Sequence, residues 1–241
     1  MKLRSLIKYQ CWTTIKPVLC FYGILYGIIT VGYIISFIAT GTTSSARFYG
    51  VEISCFIYLA ITGSLGFNED FKMAIQNGFT RKQIFLAALG MFAFLTIIMS
   101  FVDTLITQII REFSPTYMSF FQQIYGLGHN ILIQWVILML IYFAVAISAY
   151  LFTLLCNKIG KKLCYFILTC IVLVMVVIVP LVMNLYVPEY IAANFLTMLT
   201  RAIGFTAGGS VQFINPFILL SIIVLLISGF SYITMKKTEL K

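Results

Sequence analysis

Apolar residues form six long runs along the chain, and polar segments separate them. The runs cover about residues 17–39, 51–67, 84–110, 131–155, 163–187 and 214–235. Because a bilayer core of roughly 30 Å needs about 20 apolar residues per helix, each run predicts a membrane-spanning α-helix. The second run is the weakest, since Glu52 and Glu69 flank it closely. The pattern therefore predicts an all-α membrane protein with six transmembrane helices, forming one domain over residues 1–241.

Two amphipathic segments lie outside these runs. Residues 1–16 can place apolar side chains on one side of a helix and lysines on the other, which is typical of an interfacial helix. An ordinary positively charged flank explains them equally well. Before the last run, Pro188 and Glu189 predict the start of an outer amphipathic helix, which glycines from Gly204 onward end. This helix is either an outer gate or a passive surface helix.

Proline, asparagine and glycine mark three places within or beside the runs. Pro180 predicts a bend or break in the fifth helix. Asn215 and Pro216 predict the start of the last helix, with the asparagine as its cap. Gly23 and Gly27 form a Gly-x-x-x-Gly pair, which favours close helix approach. That approach is either a dimer contact or packing within one chain.

A short polar stretch, NEDFKMAIQNGFTRKQ, separates the second and third runs. Asn68 predicts a helix cap, followed by carboxylates in the first turn. Asn77-Gly78 predicts a left-handed stop, and Thr80 with Gln83 forms a capping box that starts the next helix. The stretch therefore predicts a separate two-turn helix over residues 69–76.

Composition excludes a soluble domain, because 61% of the residues are hydrophobic and only 10% are charged. With the N-terminus inside, thirteen of the lysines and arginines fall on the cytoplasmic side and three outside. This bias predicts a multi-pass cell-membrane protein with both termini cytoplasmic. It also explains the net charge of +9 without a nucleic-acid partner. The three outer residues are Arg47, Arg111 and Arg201.

The residues of a catalytic centre are not evident in the sequence. The only Gly-Lys pair, at Gly160, has Leu155 where a phosphate-binding loop needs its first glycine. His129 is the sole histidine, and the six cysteines lack metal-ligand spacing. We therefore expect no enzyme, and no cofactor or metal in this chain.

Two acidic residues lie near the predicted outer ends of helices. Glu52 and Asp103 are expected to form interfacial ion pairs with Arg47 and Arg111, which would fix the depth of their helices. We identify no acid near the middle of the membrane, where a proton or cation pathway would need one. The sequence therefore argues against a proton-coupled transporter.

The stretch from Asn68 to Phe85 resembles the cytoplasmic loop between the second and third helices of ABC-2-type transporter permeases. In that family an x-N-G-x-[S/T]-R-x-x-[I/F] pattern follows a short coupling helix, which docks on the ATPase subunit. The predicted outline of the whole chain is also similar. Its size and composition resemble small permeases of low-GC Gram-positive bacteria that export, or confer immunity to, amphipathic peptides such as lantibiotics or phenol-soluble modulins. The match is carried by Asn77, Gly78, Thr80, Arg81 and Lys82.

The resemblance implies a permease subunit that exports amphipathic peptides or lipid-like antimicrobial compounds, with a second permease chain, identical or different, in contact with membrane lipids. A separate ABC ATPase would hold ATP and Mg²⁺ and move the helix at 69–76. Its apolar contacts would be Phe71, Met73 and Ile75. The remaining interface residues would be Asn68, Glu69, Asp70, Lys72, Asn77, Gly78, Phe79, Thr80, Arg81 and Lys82. The alternative is a non-transporting immunity or sensor protein that binds a peptide directly.

Aromatic residues in the first two spans suit an amphipathic cargo better than an ion. The resemblance assigns the substrate path to these spans, together with the fifth. The residues on this predicted path are Phe21, Tyr22, Tyr26, Tyr33, Phe37, Phe56 and Tyr58.

Overall fold

The computed structural model describes residues 2–41, 51–113, 117–126, 130–185, 188–206 and 210–236. These residues are almost wholly helical and contain no strand, so the all-α class is confirmed. The helices are α1 (Lys2–Thr40), α2 (Val51–Gln76), α3 (Arg81–Phe113), α4 (Phe120–Tyr125), α5 (Ile131–Ile159), α6 (Lys161–Leu173), α7 (Val179–Leu185), α8 (Glu189–Ile203) and α9 (Ile214–Lys236).

Five helical stretches in the described part of the chain are long and apolar enough to cross a membrane, which indicates a membrane-spanning protein. The apolar part of α2 is shorter and covers Val51–Leu65. A sixth span through α2 therefore stays a prediction. The five stretches are Leu3–Ala39, Arg81–Glu112, Ile131–Ile159, Lys161–Val182 and Ile214–Lys236.

The chain divides into two compact units, Met1–Ala149 and Tyr150–Lys241, and the boundary falls within α5. The single domain expected from the sequence stays a prediction.

In the first unit α1 runs parallel to α3. Ile7 lies beside Gly90, and Tyr22 bonds to the carbonyl of Met99 further along both helices. The N-terminal part of α1 therefore lies toward the turn that joins α2 to α3. We call that turn, residues 77–80, the hairpin tip, and the opposite end of α2 and α3 the α4 end. The predicted grouping of the N-terminus with Arg81 on one side of the membrane is consistent with this direction.

The sequence predicted an interfacial helix at 1–16 and a separate first span at 17–39, and the separation between them is wrong. α1 continues without a break from Lys2 to Thr40, with Pro17 inside it. A proline inside a helix costs about 3 kcal/mol. Burial of apolar side chains on both sides of it, at Leu6, Val18 and Ile29, offsets that cost.

The separate coupling helix predicted at 69–76 is also wrong. α2 is continuous from Val51 to Gln76, so Asn68 lies within the helix and is not its cap. The apolar face of α2 explains this continuity, because Cys55, Leu59, Phe71 and Ala74 are all buried. The charged residues at 69–72 interrupt the hydrophobic run without interrupting the helix.

In the second unit a π-helical turn, Val174–Ile178, lies just before α7 and Pro180. The helical stretch continues from Lys161 to Val182, so Pro180 does not break it, and the predicted bend stays a prediction. The proline has no N–H to donate, and the wider turn changes the hydrogen-bond register in front of it. No described side chain from Tyr165 to Val182 is buried within the chain.

The amphipathic helix predicted before the last span is confirmed as α8, with Pro188 at its start and Gly204 at its end. Gly204 has a φ of 108°, the left-handed conformation of a helix stop. Asn215 was predicted to cap α9, but it lies within the first turn. Its side-chain N–H donates to the carbonyl of Arg201 at 3.0 Å and ties the end of α8 to the start of α9.

Candidate functional site

The hairpin tip is a tightly bonded corner between α2 and α3. Gly78 has a φ of 73°, and its N–H donates to the carbonyl of Ile75 at 2.9 Å. The N–H of Phe79 donates to the carbonyl of Ala74 at 3.1 Å. These two bonds form a Schellman motif, which confirms the predicted stop at Asn77-Gly78.

The start of α3 is fixed in the same way. The Thr80 N–H donates to Gln83 Oε1 at 3.0 Å, and the Gln83 N–H donates to Thr80 Oγ1 at 3.4 Å. The predicted capping box is therefore confirmed. Because both helices are capped across a four-residue turn, the tip has little freedom to change direction.

The predicted partner interface divides into exposed and buried residues. Met73 and Ile75 are half-buried, but only 2% of Phe71 is exposed, so the prediction that it contacts a partner is wrong. It instead belongs to the buried face of α2. The side chains of Asn68, Glu69, Asp70 and Lys72 lie outside the described part. The exposed residues of the tip region are Gln76, Asn77, Gly78, Thr80, Arg81 and Lys82.

A second feature, a buried polar stripe on α3, was not identified from the sequence. It comprises Thr96, Ser100, Asp103, Thr104 and Thr107, all buried. Their spacing of three or four residues places them on one helix face. That spacing is visible in the sequence and was the signal for an inward-facing polar surface.

Asp103 is the centre of this stripe. Its Oδ1 accepts a hydrogen bond from Tyr26 on α1 at 3.1 Å, and its Oδ2 accepts one from Tyr142 on α5 at 2.5 Å. The predicted pair with Arg111 is wrong, because eight helical residues separate the two by about 12 Å along the axis. Hydroxyl donors from two other helices stabilise the carboxylate instead.

Glu52 occupies the α4 end of α2. Its Oε1 accepts a hydrogen bond from the N–H of Phe120, the first residue of α4, at 3.1 Å. Ser119 and Gln122 form a capping box on α4, and Gln134 of α5 donates to Ser119 Oγ at 3.3 Å. The short helix α4 is thus bonded to both α2 and α5. Arg47, the predicted partner of Glu52, lies outside the described residues.

Comparison with known proteins adds no assignment. No family model, curated protein or solved structure matches this chain. The relation to ABC-2 permeases therefore rests on the local motif at the hairpin tip and on the predicted outline, and it stays a prediction.

The residues predicted to line a substrate path are partly packed against one another. Phe21 stacks on Tyr58 with ring centres 4.5 Å apart, and Phe56 meets Tyr142 edge-on at 5.3 Å. Tyr22 and Tyr26 stack at 5.6 Å. Tyr33 is half-buried, and Phe37 is exposed on α1. These contacts join α1, α2 and α5 within the first unit, and the transport role stays a prediction.

Gly23 and Gly27 lie on an open face of α1. Apart from the backbone of α1 itself, no described atom lies within 4 Å of a Cβ added at either glycine. Close packing within the described part of this chain therefore does not use the pair. Contact with a second chain, the other alternative, stays a prediction.

Proposed function

We propose that the chain is a membrane-spanning permease subunit, moved by a separate ATP-binding-cassette ATPase, and that it exports amphipathic peptides or lipid-like antimicrobial compounds. The observation that carries this proposal is the doubly capped hairpin tip. A hairpin tip that transmits a displacement from the ATPase to the membrane helices must resist local bending. The Schellman motif and the capping box supply that stiffness on the two sides of the turn.

The continuity of α2 supports the same role. A helix of 26 residues extends about 39 Å, so α2 reaches from the tip to the α4 end without a joint. Displacement of the tip would therefore move Glu52 and its partner α4 with it. A separate coupling helix would need a second rigid connection to do the same.

The contact surface follows from exposure. We assign it to Gln76, Asn77, Thr80, Arg81 and Lys82, with half-buried Met73 and Ile75 at its edge. Two cations at the start of α3 suit an acidic groove on a partner. Phe71 has no place in this surface, since it is buried.

The experiment is site-specific photo-cross-linking in cells that express the chain together with an ATP-binding-cassette ATPase from the same genome. A photoreactive amino acid at Gln76 or Thr80 should cross-link to that ATPase. The matched control places it at Asn130, which is exposed beyond the α4 end. Cross-links to the ATPase from both ends, or from neither, would refute the proposed contact.

Transport is tested separately with an ATPase whose catalytic carboxylate is replaced. Export of, or resistance to, an amphipathic peptide should then be lost although the cross-link remains. Unchanged resistance would favour the alternative, an immunity or sensor protein that works by binding the peptide.

A further inference from the structure

Glu52 is a buried carboxyl group, and only one of its two oxygens has a hydrogen-bond partner among the described residues. Its side chain is 2% exposed, and its Oε1 accepts the N–H of Phe120. Its Oε2 has no hydrogen-bond partner among the residues that the structure describes. A buried polar atom without a partner is uncommon in native proteins and calls for an explanation.

The groups around Glu52 add negative charge or neutral hydroxyls. Asp103 on α3 and Tyr117, just before α4, interact with it electrostatically. Burial raises the pKa of Tyr117, which keeps that phenol neutral. Around Asp103 the other titratable groups are Tyr22 and Tyr26 on α1, Cys55 on α2 and Tyr142 on α5.

Ionisation of both carboxyl groups would be costly here. Each buried ion costs several kcal/mol unless it is paired. No described lysine or arginine bonds to either group, and the partners found are hydroxyls and one backbone N–H. Asp103 has two hydroxyl donors, whereas Glu52 has a single N–H, so Asp103 holds the charge more favourably.

We propose that Glu52 is a proton-binding site that is loaded while residues 117–126 cover it, and that the proton leaves when this segment lifts from α2. We call residues 117–126 the cover. In the packed state Glu52 is a neutral carboxylic acid. When the cover lifts, water reaches Oε2, the O–H bond breaks, and the proton passes to water and leaves a carboxylate.

The cover is built to exclude water from this site. Tyr117 and Phe121 are 4% and 3% exposed, and the ring of Phe120 meets Phe56 edge-on at 5.3 Å. Phe56 lies one turn after Glu52 on α2. Lifting the cover would break the Phe120–Glu52 bond and these contacts together. This inference is independent of the proposed ATPase partner.

Infrared spectroscopy of the purified chain in lipid nanodiscs tests the loaded state. The wild type at neutral pH should show the carbonyl stretch of a protonated carboxyl group, and Glu52→Gln should remove it. The amide mimics the neutral acid, so this variant should fold. Glu112→Gln is the matched control, since Glu112 is exposed at the α4 end of α3. This variant should keep the band.

Two spectroscopic results would overturn the proposal. One is the same spectrum for wild type and Glu52→Gln. The other is a protonated band that appears only after Arg47→Gln, because Glu52 would then be an ionised partner of Arg47 in the wild type.

Hydrogen exchange tests the link to opening. If opening releases one proton, the opening constant of the cover should rise about tenfold per pH unit in the wild type and stay constant in Glu52→Gln. This slope applies over the pH range in which Glu52 is protonated under the cover and ionised once the cover has lifted. The readout is the ratio of exchange rates of the two proteins over residues 117–126, which cancels the intrinsic pH dependence of amide exchange. A ratio that does not change with pH would contradict the link.

Discussion

The hydroxyl of Tyr142 donates to Asp103 Oδ2, so a residue on α5 is bonded to a carboxylate on α3. The other oxygen of Asp103 accepts from Tyr26 on α1. One acidic side chain thus connects three helices in the interior of the first unit. It was expected at a membrane interface beside an arginine, and its burial changes its role from surface anchor to internal connection.

Replacement of Asp103 should destabilise the first unit. In Asp103→Asn one acceptor oxygen becomes an NH₂ group that faces a tyrosine hydroxyl. Because hydrogen bonds to charged groups contribute about 1.5–3 kcal/mol each, we expect a loss of about 3 kcal/mol in the free energy of unfolding. The measurement is chemical or thermal unfolding in detergent.

The control for this prediction is Glu112→Gln, an exposed change of the same kind on the same helix. It should change the free energy of unfolding by less than about 0.5 kcal/mol. A double-mutant cycle with Tyr142→Phe would isolate the pair. Additive effects of the two substitutions would show that the bond contributes nothing.

Gly63 is a second point of close contact in the first unit. A Cβ at this position would overlap the carbonyl oxygen of Ala146 on α5 and lie 3.1 Å from the Cβ of Ala149. Both obstacles include rigid parts of a helix. Gly63→Ala should therefore destabilise the protein by about 1–3 kcal/mol, although alanine is the better helix former.

Gly229 provides the matched control, because it lies within α9 and an added Cβ would meet no described atom outside that helix's backbone within 4 Å. Gly229→Ala should leave stability unchanged or slightly raised in the same unfolding assay. Equal effects of the two substitutions would contradict close packing at Gly63.

Local signals in the sequence predicted local structure well. The helix stop at Asn77-Gly78, the capping box at Thr80 and the end of α8 at Gly204 depend on a few neighbouring residues, so they are readable without the fold. Continuity across Pro17 and Asn68 was missed. The continuity of these helices depends on which of their side chains are buried, and burial depends on contacts with other parts of the chain.

The candidate sites show the same limit. Exposure of Arg81 and Lys82 agrees with their predicted surface role, but Phe71, which the resemblance placed among the apolar contacts with the ATPase, is buried. The Asp103 site joins residues on three helices. Their meeting is a tertiary contact, and a single sequence gives no information on which helices pair.

The tie between α8 and α9 predicts an effect in the second unit. Asn215→Ala removes the donor to the Arg201 carbonyl, and one such bond contributes about 1 kcal/mol. We expect faster hydrogen exchange at the end of α8 with little change in α6. Asn194→Ala, on exposed α8, is the control and should leave exchange in this region unchanged. Equal exchange in Asn215→Ala and the wild type would show that the bond is unimportant.

Gly23 and Gly27 allow a separate test of assembly. Because no described atom outside the backbone of α1 approaches their added Cβ atoms, Gly23→Leu and Gly27→Leu should preserve the folded chain. If the pair forms a contact with a second chain, the larger side chains should weaken dimerisation in bilayers, measured by single-molecule photobleaching. The control is Gly229→Leu, which is also open in the described structure. Unchanged dimerisation in both α1 variants would exclude this face as the contact.

Gly78 tests whether the shape of the hairpin tip matters for function. A β-branched residue at a φ of 73° costs about 1–2 kcal/mol or more, so Gly78→Val should break the Schellman motif and redirect the turn. Asparagine tolerates this conformation, and Gly78→Asn is therefore the matched control. We expect the valine variant to insert and fold but to lose cross-linking from Thr80 to the ATPase, whereas the asparagine variant retains it. Full cross-linking and peptide resistance in Gly78→Val would show that the rigid tip is not the contact through which the permease is moved.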